Sequence, residues 1–345
     1  MTAVPSFWRS RKAVAFWLFG VAAIIFAMVV IGGLTRLTGS GLSITEWDLI
    51  QGVIPPLTDA AWQDVFDKYK HIPQYAQQNS WMSLSDFKSI FWWEWSHRFL
   101  GRFVGSAFAV PFLWFAYVGA IARKEWPRMI VLFALGGLQG VIGWWMVQSG
   151  LEVRVSVSQY RLAIHLGAAI ILLGAMLWTA FDYLNLPKSH TAIDKRLQQS
   201  GLLFVGLVYV QMLLGALVAG LHAGLIYNTW PLMDGRVAPE DAFFQSPWWI
   251  NFFENPGLVQ FDHRIGAYIV AISAFCLWRF GRKQKNSGLA RRSGNAVLHV
   301  TLFQILLGIG TLVMQAPLFM AAPHQITAAA LFCVAVWHAW ELRNA

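Results

Sequence analysis

The sequence predicts an all-α integral membrane protein in which eight transmembrane helices form two tandem, pseudo-symmetric four-helix bundles. Three observations carry this expectation: an apolar composition, eight long hydrophobic segments, and a repeat that relates the first half of the chain to the second. Of the 345 residues, 57% are hydrophobic and 12% charged, with 19 tryptophans and a mean hydropathy of +0.50. Soluble domains carry roughly 25% charged residues, so lipid is the expected solvent.

A bilayer core takes about 20 consecutive apolar residues per helix. Residues 14–34 supply the first such run without a charge. The run is too long for a signal peptide and no small-residue cleavage site follows it, so it reads as a retained anchor. Further spans are expected at 93–122, 128–148, 160–182, 201–222, 258–279, 295–316 and 320–341. In the long connection after the first span, Trp62, Val65, Phe66 and Tyr69 recur at helical spacing behind Thr58. This pattern predicts a short amphipathic helix lying on the membrane surface, and a second is expected over 84–91. Pro323 reads as the start of the last helix, because proline fits a first helical turn.

Lys and Arg are retained on the cytoplasmic side of a membrane. With the N-terminus inside, most of the 26 basic residues fall in the inner segments, among them Arg9, Lys124, Lys188, Arg282, Lys285 and Arg343. Glu125, Asp182, Asp194 and Glu341 are the acids there. The net charge of +9 is therefore a topology signal, and nucleic acid is not an expected partner. The two cysteines, Cys276 and Cys333, fall inside spans and read as packing residues rather than as a loop disulfide or thiolate metal site.

The repeat emerges when Trp47 is laid on Trp230. Gly32, Leu34, Gly41, Leu42, Gly52 and Pro56 then match Gly215, Leu217, Gly224, Leu225, Gly235 and Pro239. After a length change in the outer loop, His97-Arg98 falls on His263-Arg264, Gly143 and Gln148 fall on Gly310 and Gln315, and His165 pairs with His324. Residues 1–184 and 185–345 thus read as two four-helix halves. Both halves begin in the cytoplasm, which makes this a parallel repeat about the membrane normal.

Of the nine histidines, His97, His165, His263 and His324 sit near the outer ends of even-numbered spans. One histidine inside a membrane is more often a helix-to-helix hydrogen-bonding residue than a ligand. Four at matched positions resist that explanation, and one histidine from each of two helices is how a bundle core grips haem iron. No thiolate or carboxylate cluster favours zinc or copper. His71, His190, His222, His299 and His338 have no repeat-matched partner. Arg98 and Arg264 are either propionate partners, since a guanidinium matches a carboxylate, or anchors at the membrane interface. Glu94 lies one turn before His97, which sets a carboxylate beside the haem candidate or simply places an acid at a helix N-terminus.

The segments Gly41-Leu42-Ser43 to Trp47, Glu94-Trp95-Ser96-His97-Arg98, Tyr227 to Met233, Glu254-Asn255-Pro256 and Gln260-Phe261-Asp262-His263-Arg264 resemble the haem A synthase family, in its proteobacterial and mitochondrial branch. The likeness covers nearly the whole chain. It implies an enzyme that oxidises the C8 methyl of haem O to a formyl group, by two hydroxylations and loss of water, to make haem A for cytochrome oxidase. It further implies a haem b cofactor ligated by His263 and His324, a substrate haem O flanked by His97 and His165, and a catalytic role for Glu94. The implied location is the cell inner membrane, with both termini cytoplasmic and the haem sites towards the periplasmic face. Haem O synthase and an electron donor or acceptor are the partners such an enzyme would meet, and a homo-oligomer is compatible with it. Some branches carry a cysteine pair in the outer loops; this sequence has none there. The rival readings are a di-haem electron-transfer cytochrome, which usually places two histidines on one helix, and a haem carrier.

Overall fold

The computed structural model describes residues 6–48, 51–184, 193–283 and 288–344; Lys188, His190 and Lys285 lie outside them. Among these described residues ten α-helices run in chain order: α1 (Arg11–Leu37), α2 (Asp59–Lys70), α3 (Leu84–Tyr117), α4 (Trp126–Gln148), α5 (Gln159–Leu184), α6 (Lys195–Gly220), α7 (Asn251–Glu254), α8 (Pro256–Lys283), α9 (Gly288–Val313) and α10 (Leu318–Asn344). All but α2 and α7 belong to the eight segments long and apolar enough to cross a membrane. The expected all-α, eight-span membrane fold is therefore the one observed.

Local chemistry explains the boundaries. The Ser10 hydroxyl accepts from Ala13 N at 3.3 Å to open α1, and Ser83 and Asp86 form a reciprocal capping box that opens α3. That box carries helix through 84–91 without interruption, so the second surface helix expected there is instead the first two turns of α3. The same helix ends at Tyr117, five residues before the expected limit, because the chain turns at Gly119 with φ +75°, a conformation glycine adopts at no steric cost. Pro323 does not start α10. The helix begins at Leu318 and holds the proline inside it.

α2 forms where its periodicity placed it, with the Thr58 hydroxyl accepting from Ala61 N at 3.2 Å. Its apolar face meets protein, however. Trp62, Phe66 and Tyr69 are buried against Phe87, Ile90 and Phe91 of the extended α3, with ring centroids 5.0 Å apart for Phe66 and Phe87. Phe66→Ala should cost about 3–5 kcal/mol of local stability and loosen this loop from α3. Limited proteolysis between residues 51 and 83 would detect it; an unchanged cleavage pattern would show that the aromatic cluster does not anchor α2.

The spanning helices close into two rings of neighbours. α1 touches α3 and α5, and α4 completes the first ring between α3 and α5; α6 touches α8 and α10, and α9 completes the second between α8 and α10. α3 and α5 therefore stand diagonally, as do α8 and α10. The rings meet through α1 against α10, α5 against α6, and α5 against α10. α4 and α9 lie on the periphery, where side chains such as Val141 and Leu306 are 59% and 67% exposed. Apolar surface of that extent is favourable only in lipid.

Polar contacts clasp the two rings together. The Gln325 side chain of α10 occupies the space above Gly33 on α1 and donates to Val29 O at 2.7 Å. Arg36, at the end of α1, donates to Ala219 O at 2.9 Å and to His222 Nε2 at 2.9 Å. Burial and the neighbouring Arg36 hold the His222 imidazole below its usual range, which keeps the Nε2 lone pair available as an acceptor.

Candidate functional site

The odd-numbered spans α1, α4, α6 and α9 each offer a glycine to a histidine on the next spanning helix. A Cβ on Gly32 would stand 2.8 Å from His97 Cε1, on Gly143 3.2 Å from His165 Cε1, on Gly215 3.2 Å from His263 Cε1, and on Gly308 2.8 Å from His324 Cε1. Each ring thus lies against helix backbone in a space that any larger residue would fill. By this contact Gly143 corresponds to Gly308; Gly310, on which the sequence comparison laid it, faces Met320 instead.

Three of the four rings are also held by a glutamine four residues before the glycine, hence one turn away on the same helix face. Gln211 Nε2 lies 3.0 Å from His263 Nδ1 and donates to His263 O at 2.8 Å. Gln304 Nε2 lies 3.1 Å from His324 Nδ1. The Gln139 amide, turned so that its oxygen meets a donor, places its nitrogen 3.3 Å from His165 Nδ1. The sequence comparison missed these glutamines, although Gln139/Gly143, Gln211/Gly215 and Gln304/Gly308 share one visible spacing. His97 differs: its Nδ1 is buried without a partner, and Met28 occupies the position four residues before Gly32.

The rings come together in pairs. His97 lies within electrostatic reach of His165, and His263 within reach of His324, each pair coming from diagonal helices of one ring. Among the described residues no hydrogen bond reaches Nε2 of any of these four histidines, and no three His, Cys, Asp or Glu side chains converge. Two imidazoles whose Nε2 atoms make no hydrogen bond to protein fit a planar macrocycle that supplies its own equatorial ligands. They do not fit a tetrahedral ion that needs three or four protein ligands.

One turn before His97, Glu94 is 3% exposed and accepts from four donors. Its Oε1 accepts from Arg98 Nε at 3.0 Å and Arg98 Nη2 at 2.6 Å, and its Oε2 accepts from Ser43 Oγ and Ile44 N, both at 2.8 Å. Arg98 also donates to Ile44 O at 2.7 Å and Glu46 O at 2.8 Å. In the second ring Arg264 makes the corresponding contacts, to Tyr227 O at 2.6 Å and Thr229 O at 3.0 Å. There the residue one turn before the histidine is an amide, Gln260, whose Oε1 accepts from Arg264 at 2.9 Å. Both arginines thus clasp a loop to a helix beside a histidine, and Glu94 and Gln260 hold equivalent places with different chemistry.

Fold and site together define a polytopic membrane protein whose helical bundle holds two histidine pairs, each from diagonal helices. The profile of COX15-CtaA, the cytochrome oxidase assembly protein family, matches residues 15–336, and the chain belongs to that family. It is 50% identical to a protein of Parvibaculum lavamentivorans named Heme A synthase, over 96% of this chain and 95% of the relative. A Brucella anthropi protein of the same name is 50% identical over 96% of this chain and 92% of its own length. One from Bradyrhizobium diazoefficiens is 47% identical over 100% of this chain and 95% of its own length.

Proposed function

We propose that the protein oxidises haem O to haem A. The observation that carries this is 50% identity with relatives named Heme A synthase over 96% of the chain. The C8 methyl of haem O is oxidised twice and becomes a formyl group. The macrocycle supplies iron chemistry, and the protein supplies placement, electrostatics and electron supply.

The two halves, read as tandem pseudo-symmetric copies, divide the work. In the C-terminal half His263 and His324 would hold a haem b cofactor, and both rings have glutamine partners. In the N-terminal half His97 and His165 would flank haem O, and this half alone has a carboxylate, Glu94, one turn from its first histidine. Arg98 and Arg264 already donate to loop carbonyls, so each has only part of its fork left for a propionate. The protein would sit in the inner membrane with its termini in the cytoplasm and the haem sites towards the periplasm, meeting haem O synthase and an electron donor or acceptor there.

The test supplies haem O to the purified protein in lipid and identifies extracted haems by chromatography and mass spectrometry. Haem A, with its alcohol precursor at early times, supports the reading. Haem O recovered unchanged while bound haem cycles between redox states would make the protein an electron-transfer cytochrome.

The glycine contacts give a sharper check on the ligand assignment. Gly308→Ala puts a methyl 2.8 Å from His324 Cε1, whereas Gly206, with nothing within 4 Å, is a neutral control. The first change should reduce haem b occupancy by roughly 10- to 100-fold, the range for disturbed ligand orientation, and the second should leave it unaltered. Equal occupancy in both would remove His324 from the ligand set.

A further inference from the structure

The exception at His97 assigns a function to Met28. Gln139, Gln211 and Gln304 each set an amide beside Nδ1 of a histidine. An amide carries both a donor and an acceptor, so it can meet Nδ1 bare or protonated. Once Nε2 gives its lone pair to iron, the ring proton resides on Nδ1 and needs an acceptor. Gln211 Oε1 and Gln304 Oε1 are buried and without a partner, so rotation of the amide offers an acceptor, at Gln211 in exchange for the bond from its Nε2 to His263 O.

Met28 stands where α1 should carry the fourth glutamine. Its methyl lies 3.4 Å from the place of a Cβ on Gly101, one turn beyond His97, just as the Gln211 side chain lies over Gly266, near one turn beyond His263. A thioether is a weak acceptor and no donor, and the His97 Nδ1 is buried without a partner. A hydrogen bond at the second ring nitrogen fixes the ring and raises its basicity as a ligand. His97 lacks both effects.

We propose that Gln139, Gln211 and Gln304 are positioning residues that make their histidines firm axial ligands, and that Met28 makes His97 the weak one. The N-terminal haem then opens on its His97 side, on the helix that carries Glu94, while the C-terminal haem stays closed on both faces. The inference rests on the haem-binding reading above and adds which of four similar ligands gives way.

Carbon monoxide is the probe, since it binds ferrous haem only where an axial position opens. The dithionite-reduced protein, loaded with haem O and held in lipid, should bind carbon monoxide in the N-terminal half and not in the C-terminal half. Met28→Gln should slow that binding about tenfold and shift the N-terminal haem towards a low-spin spectrum, whereas Met28→Leu should leave both as in the parent. In the opposite direction, Gln211→Met should let the C-terminal haem bind carbon monoxide, an effect a merely structural glutamine would not produce. If Met28→Gln and Met28→Leu behave alike, hydrogen bonding at His97 is not the determinant and the proposal fails. A Gln211→Met protein that keeps its haem closed to carbon monoxide overturns it as well, even if Met28→Gln does not fold. Absence of any haem in the N-terminal half of the parent would instead overturn the haem-site reading itself.

Discussion

Replacing His263 or His324 with alanine is expected to strip the resident haem from the protein, whereas replacing His97 or His165 should leave haem b in place and stop production of haem A. The asymmetry follows from the surroundings of the rings. His263 and His324 are each seated on a glycine and held by a glutamine, as a permanent site requires. Loss of either ligand should lower occupancy by more than the roughly 10- to 100-fold that follows loss of an outer partner. On the proposed division of work the N-terminal site admits one haem and releases another, and one of its rings lacks that support. Haem content from the reduced-minus-oxidised spectrum and product from extracted haems are scored separately. Equal loss of stable haem in all four folded variants would mean that the halves share one function.

Glu94→Gln should leave a folded, haem b-containing protein that makes little or no haem A. The chain itself supplies the precedent for folding: Gln260 occupies the equivalent place, with its oxygen on Arg264 and its amide nitrogen donating to Ala223 O at 2.7 Å. At position 94 the fit is less good, because Ile44 N, which donates to the carboxylate at 2.8 Å, would meet an N–H group. That conflict should cost about 1–3 kcal/mol, less than the 3–5 kcal/mol expected when Glu94→Ala leaves Arg98 without its buried partner. A rate lost in Glu94→Gln with haem b retained therefore reports on the carboxylate and its capacity to accept a proton, and not on the clasp. Haem A formed at the unmodified rate would reduce Glu94 to a structural anion, and the proton acceptor would then be sought among Glu46, Asp48 and Asp262.

What the sequence determined by itself is the membrane fold, and it singled out four histidines as the candidate site. Eight apolar runs need no tertiary information to be recognised, because each must satisfy its own backbone hydrogen bonds in lipid. The histidines stood out because a polar ring at the same depth in repeated helices is costly unless used. Element limits were less legible where two signals overlapped. The amphipathic run at 84–91 and the span after it share one helical period, so only the Ser83 capping box shows them to be a single helix. The run at 59–70 has an apolar face of the same kind as a lipid-bound helix, and only packing shows that the aromatic residues of α3 cover it.

Tertiary structure alone decided what surrounds each ring. A glutamine and a glycine four residues apart recur in three spans, but the spacing does not say what they face. Their role becomes visible only when the next spanning helix sets an imidazole against them. The equivalence of Glu94 with Gln260, and of Met28 with Gln211, follows from the register that lays His97 on His263 and Gly32 on Gly215, but what each of these side chains touches depends on which atoms face one another across helices. The physical reason is that helix periodicity specifies which face a residue occupies, while its partner is chosen by how helices distant in sequence pack together.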